Sequence, residues 1–206
     1  MPAARSRTEV LALLALLVMT AAWGSTFFLI KDVVTRIPVA DLLAIRFAIA
    51  SVALGLIAAP RLHLSRSVLS CGVLLGLLYG AAQILQTAGL AHTSASVSGF
   101  VTGLYVVATP LLTALVLRRR VPPLTWLSAV LATIGLGFLA LHGFSIGFGE
   151  LLTLIAAVIY AGHIVALGRF STRETALSLS LVQLSMITLV TAVAALWPTP
   201  GSAPGI

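Results

Sequence analysis

Seven apolar runs, separated by short polar or proline-bearing breaks, dominate this chain; they lie at approximately 8–30, 39–59, 68–90, 95–117, 124–142, 149–168 and 175–197. At 1.5 Å of rise per residue, each run is long enough as a helix to match the ~30 Å of hydrocarbon in a bilayer. Hydrocarbon offers no partner to a free amide or carbonyl, so each run must satisfy its own backbone, which only a helix or a closed barrel does. Composition excludes the alternative of a buried soluble core: 60% of residues are hydrophobic and 8% are charged, too little polar surface to face water. The expected fold is an all-α integral membrane protein with seven transmembrane helices.

Breakers and charges test that count separately. Pro38, Pro60, Pro122, Pro123 and Pro198 all fall at run ends, where a missing amide does least harm. Arg5 and Arg7 precede the first run, Arg61 and Arg66 follow the second, Arg118–Arg120 follow the fourth, and Arg169 and Arg173 follow the sixth. With seven crossings these share one side, leaving Lys31 and Arg36 opposite and Arg46 inside the second run. The positive-inside rule then makes that side cytoplasmic and the protein a multi-pass component of the cell (cytoplasmic) membrane with its N-terminus inside. The net charge of +7 orients helices and marks no nucleic-acid partner. A cleaved leader is not expected, because the first run is too long and bulky Trp23, Phe27 and Phe28 stand where small residues should guide cleavage. Cys71 is the single cysteine, which precludes an internal disulfide and a thiolate metal site.

Polar residues inside hydrocarbon are costly, so they identify the faces that point into the bundle. In the fourth run Ser98, Thr102, Tyr105 and Thr109 recur at helical spacing and share a face. That face serves either a substrate or hydrogen bonds between helices. In the third run Gly72, Gly76 and Gly80 permit close approach of a neighbour, with Tyr79, Gln83 and Gln86 alongside; unpaired amides in lipid are expensive, so both glutamines should point inward. Arg46 is either an inward cation or a snorkelling one, and Asp32 with Arg36 fits an i, i+4 pair. Pro110 removes a backbone bond and should kink the fourth helix, a candidate hinge. His163 is a candidate proton relay. In the first run Trp23 lies mid-span beside Gly24 and Ser25, which suggests a cavity-wall aromatic with a helix packed closely against it.

The segment "EVLALLALLVMTAAWGSTFFLIK" can be set against "GELLTLIAAVIYAGHIVALGRF" at a shift of about 137 residues, placing Trp23 near Tyr160. Five helices separate the two starts, so a second copy would run inverted, a common plan in transporters. At "WGSTFFLIKDV", "PVADLLAIRFAIA" and "LQTAGLAHTSASVSGFVTGLYVVATPLLTALVL" the chain resembles the EamA-type permeases of the drug/metabolite transporter superfamily. The resemblance implies ten helices in two five-helix repeats around a central cavity, which moves small molecules by alternating access. Here residues 1–142 read as a first repeat of five helices, 143–197 as two helices of an inverted second repeat, and 198–206 as a non-helical tail. "RRRVPP" stands where many relatives place an acidic residue.

The expected function is a permease for small metabolites or drugs, amino-acid-like or amphipathic, and not an enzyme. The alternative is a non-transporting fragment or partner subunit of such a permease. Substrate-cavity candidates are Trp23, Arg46, Tyr79, Gln83, Gln86, Ser98, Thr102 and Tyr105. No cofactor or metal is expected; the partners are the lipid bilayer and a small-molecule substrate, with a homodimer as a further option.

Overall fold

A computed structural model describes residues 7–118, 120–140 and 147–196. The tail 198–206, together with Arg5 and Arg119, lies outside the described residues. Eight α-helices carry the described chain: α1 Arg7–Lys31, α2 Val39–Ala58, α3 Arg66–His92, α4 Ala95–Thr102, α5 Tyr105–Leu117, α6 Pro123–Ala140, α7 Phe148–Phe170 and α8 Ala176–Ala195. A short 3₁₀ turn, Ala59–Arg61, follows α2 and holds Pro60 in its first positions.

Six stretches are long and apolar enough to cross a membrane: Arg7–Thr35, Val39–Arg61, Arg66–His92, Ala95–Val116, Phe148–Phe170 and Ala176–Ala195. The expected fifth crossing, 124–142, is the exception, because the apolar helix recognised there is the shorter Pro123–Gly135. Helix four also differs from expectation. An interruption falls at Gly103–Leu104, between α4 and α5, while Pro110 sits inside α5. Around the break the amides of Leu104, Val106 and Val107 reach back three residues, to Val101, Gly103 and Leu104, a 3₁₀ tightening that rotates α5 relative to α4.

Burial is inverted relative to a water-soluble protein. Leu56 and Ile57 are 76% and 78% exposed, whereas Thr102, Thr153 and Thr191 are fully buried. An apolar exterior with hydroxyls inside suits lipid, where the bundle interior is the place to pair polar groups. Buried threonines also donate to their own helix, as Thr102 does to the Ser98 carbonyl at 2.7 Å and Thr191 to that of Ile187 at 2.7 Å.

Helix α3 is the hub, and its glycines explain why. A Cβ on Gly72 would lie 2.6 Å from Val182 Cγ1, one on Gly76 2.7 Å from Met186 Cβ, and one on Gly80 3.4 Å from Ile187. This stripe seats α8 parallel to α3. One end of α3 meets α7 instead, where a Cβ on Gly89 would fall 2.7 Å from the Gly149 carbonyl. Ser65 and Ser94 cap α3 and α4, accepting from Val68 and Val97 amides at 3.2 Å each. The corner Thr93–Ser94 therefore ends one helix and starts the next.

Two readings of the first helix and the turn after it change. Gly24 has no atom within 4 Å of a Cβ built on it, and Ser25 is exposed. Trp23 and Phe27, four residues apart, take the inward face of α1 and turn that pair away. Asp32 and Arg36 lie in turns after α1 has ended, and no ion pair joins them among the described residues. Lys31, the last residue of α1, donates through its Nζ to the carbonyls of Leu90 at 2.6 Å and Ala91 at 3.2 Å.

Candidate functional site

The polar residues of four helices meet near the middle of the bundle. Tyr79, at the midpoint of α3, packs its ring against three others: Phe47 of α2 at 6.0 Å, Tyr160 of α7 at 5.9 Å, and His163 of α7 at 5.2 Å between centroids. Gln83, one turn along α3, donates to the Tyr79 hydroxyl at 3.0 Å. One further turn along, Gln86 joins three helices. Its Nε2 donates to Thr102 Oγ1 of α4 at 2.9 Å, and its Oε1 accepts from the Tyr160 hydroxyl at 3.0 Å. An amide has separate donor and acceptor ends, so a single side chain can tie two neighbours in a fixed sense.

A second relay crosses from α7 to α8. His163 Nε2 donates to Gln183 Oε1 at 2.7 Å, and Gln183 Nε2 donates to the Leu179 carbonyl at 3.1 Å. The second bond fixes the amide's orientation, and the imidazole therefore carries its proton on Nε2. His163 and Gln183 are both buried. The two networks touch where the His163 ring stacks on Tyr79.

Aromatic contacts extend this centre towards α1. Trp23 lies 6.1 Å from Tyr105 and 6.2 Å from Phe27, and Tyr105 packs on the cluster of Ala82, Ala156 and Tyr160. Arg46 places its guanidinium carbon 5.5 Å from the centre of the Phe47 ring, the same ring that packs on Tyr79, a cation–π contact at the border of the centre. Ser98 is fully buried, and among the described residues its hydroxyl has no hydrogen-bond partner. Beyond Tyr105, a cleft of about 670 Å³ runs between α5 and α7, lined by Thr109, Thr113, Ile164, Val165, Gly168, Arg169 and Phe170.

Of the residues singled out from sequence, Tyr79, Gln83, Gln86, Thr102 and His163 fall into the connected centre. Trp23, Tyr105 and Arg46 border it, and Ser98 sits one turn of α4 from Thr102. Pro110 lies apart, inside α5. Sequence reasoning left out Gln183, although a glutamine within an apolar run carries the same cost that marked Gln83 and Gln86. Tyr160 was visible as the counterpart of Trp23, but its bond to Gln86 was not.

The EamA-like transporter family matches this chain over residues 10–141, well over half of its length and across the helices that hold Gln86, Thr102 and Tyr105. The chain belongs to the EamA-like transporter family. A protein of Archaeoglobus fulgidus described as an uncharacterized transporter is 29% identical over 187 residues, 90% of this chain and 58% of that protein. The EamA chain thus spans 58% of the length of the curated relative it matches. No solved structure matches it. Family and fold together identify a multi-pass membrane protein of a transporter family.

Proposed function

We propose that this EamA chain forms the substrate-handling core of a permease for small neutral or amphipathic metabolites, working by alternating access. The observation that carries the reading is the connected polar centre of Tyr79, Gln83, Gln86, Tyr160, His163 and Gln183 inside an apolar bundle. Six polar side chains gathered there exceed what simple helix contact requires, since single hydroxyls bonded to their own helices would suffice. The centre is rich in amides, phenols and aromatic faces and holds one nearby cation, Arg46. Such a surface offers hydrogen bonds and stacking to an amino-acid-like or amphipathic molecule without demanding a strongly charged one. Pro110, in the wall of the cleft's helix, is the candidate hinge, and His163 the candidate proton relay.

Two relations support an inverted second repeat. Helices α2 and α8 are each 20 residues long and stand at an offset of 137 residues, that of the contact between Ser51 and Thr188 hydroxyls at 3.4 Å. Gly55 faces Leu181, so the two helices cross antiparallel, with a residue and its own counterpart meeting near the middle. This is what a two-fold axis lying in the membrane produces. The path of the chain supports seven crossings. Thr113 of α5 faces Arg169 near the end of α7, whereas Phe148 at its start packs on His92. The segment between must return across the bundle, and α6 provides 18 residues, or roughly 27 Å.

A second reading, a partner-dependent subunit, rests on α2. At the same offset, the counterparts of Val182 and Met186, which receive the α3 glycines, are Ile45 and Ile49; these are 60% and 66% exposed. In that reading a further helix segment covers them.

Orientation is checked by a reporter pair fused after Leu196. Alkaline phosphatase should be active there and a cytoplasmic fluorescent reporter dark; the reverse result rules out seven crossings with an inside N-terminus. Binding is checked by melting the detergent-purified protein with leucine, threonine, or ethidium. At a concentration 100-fold above Kd a ligand should stabilise the fold by ~2.7 kcal/mol. Melting that no probe raises would count against the neutral-or-amphipathic assignment.

A further inference from the structure

Helix α1 is held in an unusual way. Phe27 is the one buried residue in it, and Trp23 is partly covered, while most of the helix faces outward. By contrast α7 is fused to α3 through backbone contact, a Cβ on Gly149 falling 2.8 Å from the Gly89 carbonyl. The Thr93 hydroxyl adds a hydrogen bond to the Glu150 carboxylate on that flank. If the end of the bundle where α3 finishes ever parts, it parts on the α1 side.

The closure on that side has two layers. Phe27, Val34, Leu90 and Ala95 form a buried apolar plug joining α1, the turn after it, α3 and α4, and the Phe27 ring lies 3.6 Å from a Cβ built on Gly99. Over the plug, Lys31 Nζ bridges the Leu90 and Ala91 carbonyls. Those carbonyls belong to the last turn of α3, where no amide of the same helix follows to bond them and the helix dipole is negative. A cation is favoured there. Water can replace it without leaving a buried group unpaired, so the contact can open and close. Beneath the plug lie Trp23 and Tyr105, and beyond them the α5–α7 cleft at the opposite end.

We propose that Lys31 is the latch of a gate formed by α1 against the end of α3, closed in this conformation while the α5–α7 cleft marks access from the other side. The proposal rests on the permease reading for its purpose, but its test needs no substrate, so the two can fail separately.

The test uses the full chain in membrane vesicles of both orientations, with Cys71→Ala as background and a membrane-impermeant maleimide as probe. A thiol placed in the plug by Ala95→Cys should label slowly from the α3 C-terminal side. Lys31→Met should accelerate that labelling about tenfold, the size expected when a helix C-terminus loses its cation and the open state gains population. Lys31→Arg should restore the slow rate. A thiol placed in the cleft by Thr113→Cys should label no faster in Lys31→Met. Unchanged labelling at the plug would overturn the latch, and so would equal acceleration at plug and cleft, which means a loosened fold. Should Lys31→Met fail to reach the membrane, Phe27→Ala, which thins the plug and keeps the lysine, must accelerate the plug thiol for the proposal to stand.

Discussion

Gly89→Ala, a change of one methyl group, should destabilise the bundle more than any other single-methyl addition to its described glycines. The new Cβ would sit 2.5 Å from Thr153 Oγ1 and 2.7 Å from the Gly149 carbonyl. Neither obstacle can swing aside: one is backbone, and the hydroxyl is buried and bonded to that same carbonyl at 2.8 Å. Helices α3 and α7 must separate, and overpacking of this kind costs about 1–3 kcal/mol. Gly76→Leu should be at least as severe, because Met186 Cβ at 2.7 Å and the Gln183 Cα at 3.1 Å leave no path for a side chain. It would also push away the helix that holds His163 through Gln183. Gly24→Ala is the control, since nothing lies within 4 Å of its Cβ and alanine favours a helix by about 1 kcal/mol over glycine. Thermal unfolding in detergent should place the first two below wild type and the control at or above it. Equal melting of Gly89→Ala and Gly24→Ala would contradict the packing described.

Gln86→Leu should be the most damaging change at the polar centre. Leucine has similar size and fits hydrocarbon, so shape is largely kept while both hydrogen bonds vanish. The Tyr160 hydroxyl loses its acceptor, and Thr102 loses a donor while keeping its own bond to Ser98. A buried polar group left without a partner costs about 1–3 kcal/mol. Tyr160 is buried, so it must turn to find another acceptor, carrying its contact with Tyr79. Binding of a probe such as leucine, followed by melting shift, should fall at least about tenfold, matching ~1.4 kcal/mol of lost interaction. Thr191→Val is the matched control: Thr191 is fully buried, but its hydroxyl bonds only its own helix. If both variants bind the probe like wild type, the polar centre is helix glue and no more.

These expectations rest unevenly on sequence. The helices were legible because hydrocarbon thickness sets their length: the runs read at 39–59 and 149–168 appear as Val39–Ala58 and Phe148–Phe170. Inward faces were legible for the same reason, as the burial of Gln83, Gln86, Ser98 and Thr102 shows. Partners were not. Spacing gives the angle of a residue on its own helix, whereas the bonds of Tyr160 to Gln86 and of His163 to Gln183 depend on the rotation and height of two helices together. Lys31 illustrates the limit, since nothing in "LIKDV" reveals that the last turn of α3 stands within reach. Gly24 misled because small size permits close approach without requiring it. The break in helix four was not legible either: Gly103, with no side chain to resist a tighter turn, gives way there, while Pro110 lies further on, inside α5.

Exchange flux decides whether a permeation path runs through the polar centre. The full chain is reconstituted into proteoliposomes loaded with unlabelled leucine or threonine, and uptake of the radiolabelled amino acid is followed, with ethidium release as a parallel probe. Counterflow of at least one probe above protein-free vesicles is expected, abolished by Gln86→Leu and retained by Thr191→Val. Flux that Gln86→Leu leaves intact, or vesicles as tight to every probe as protein-free lipid, would contradict such a path.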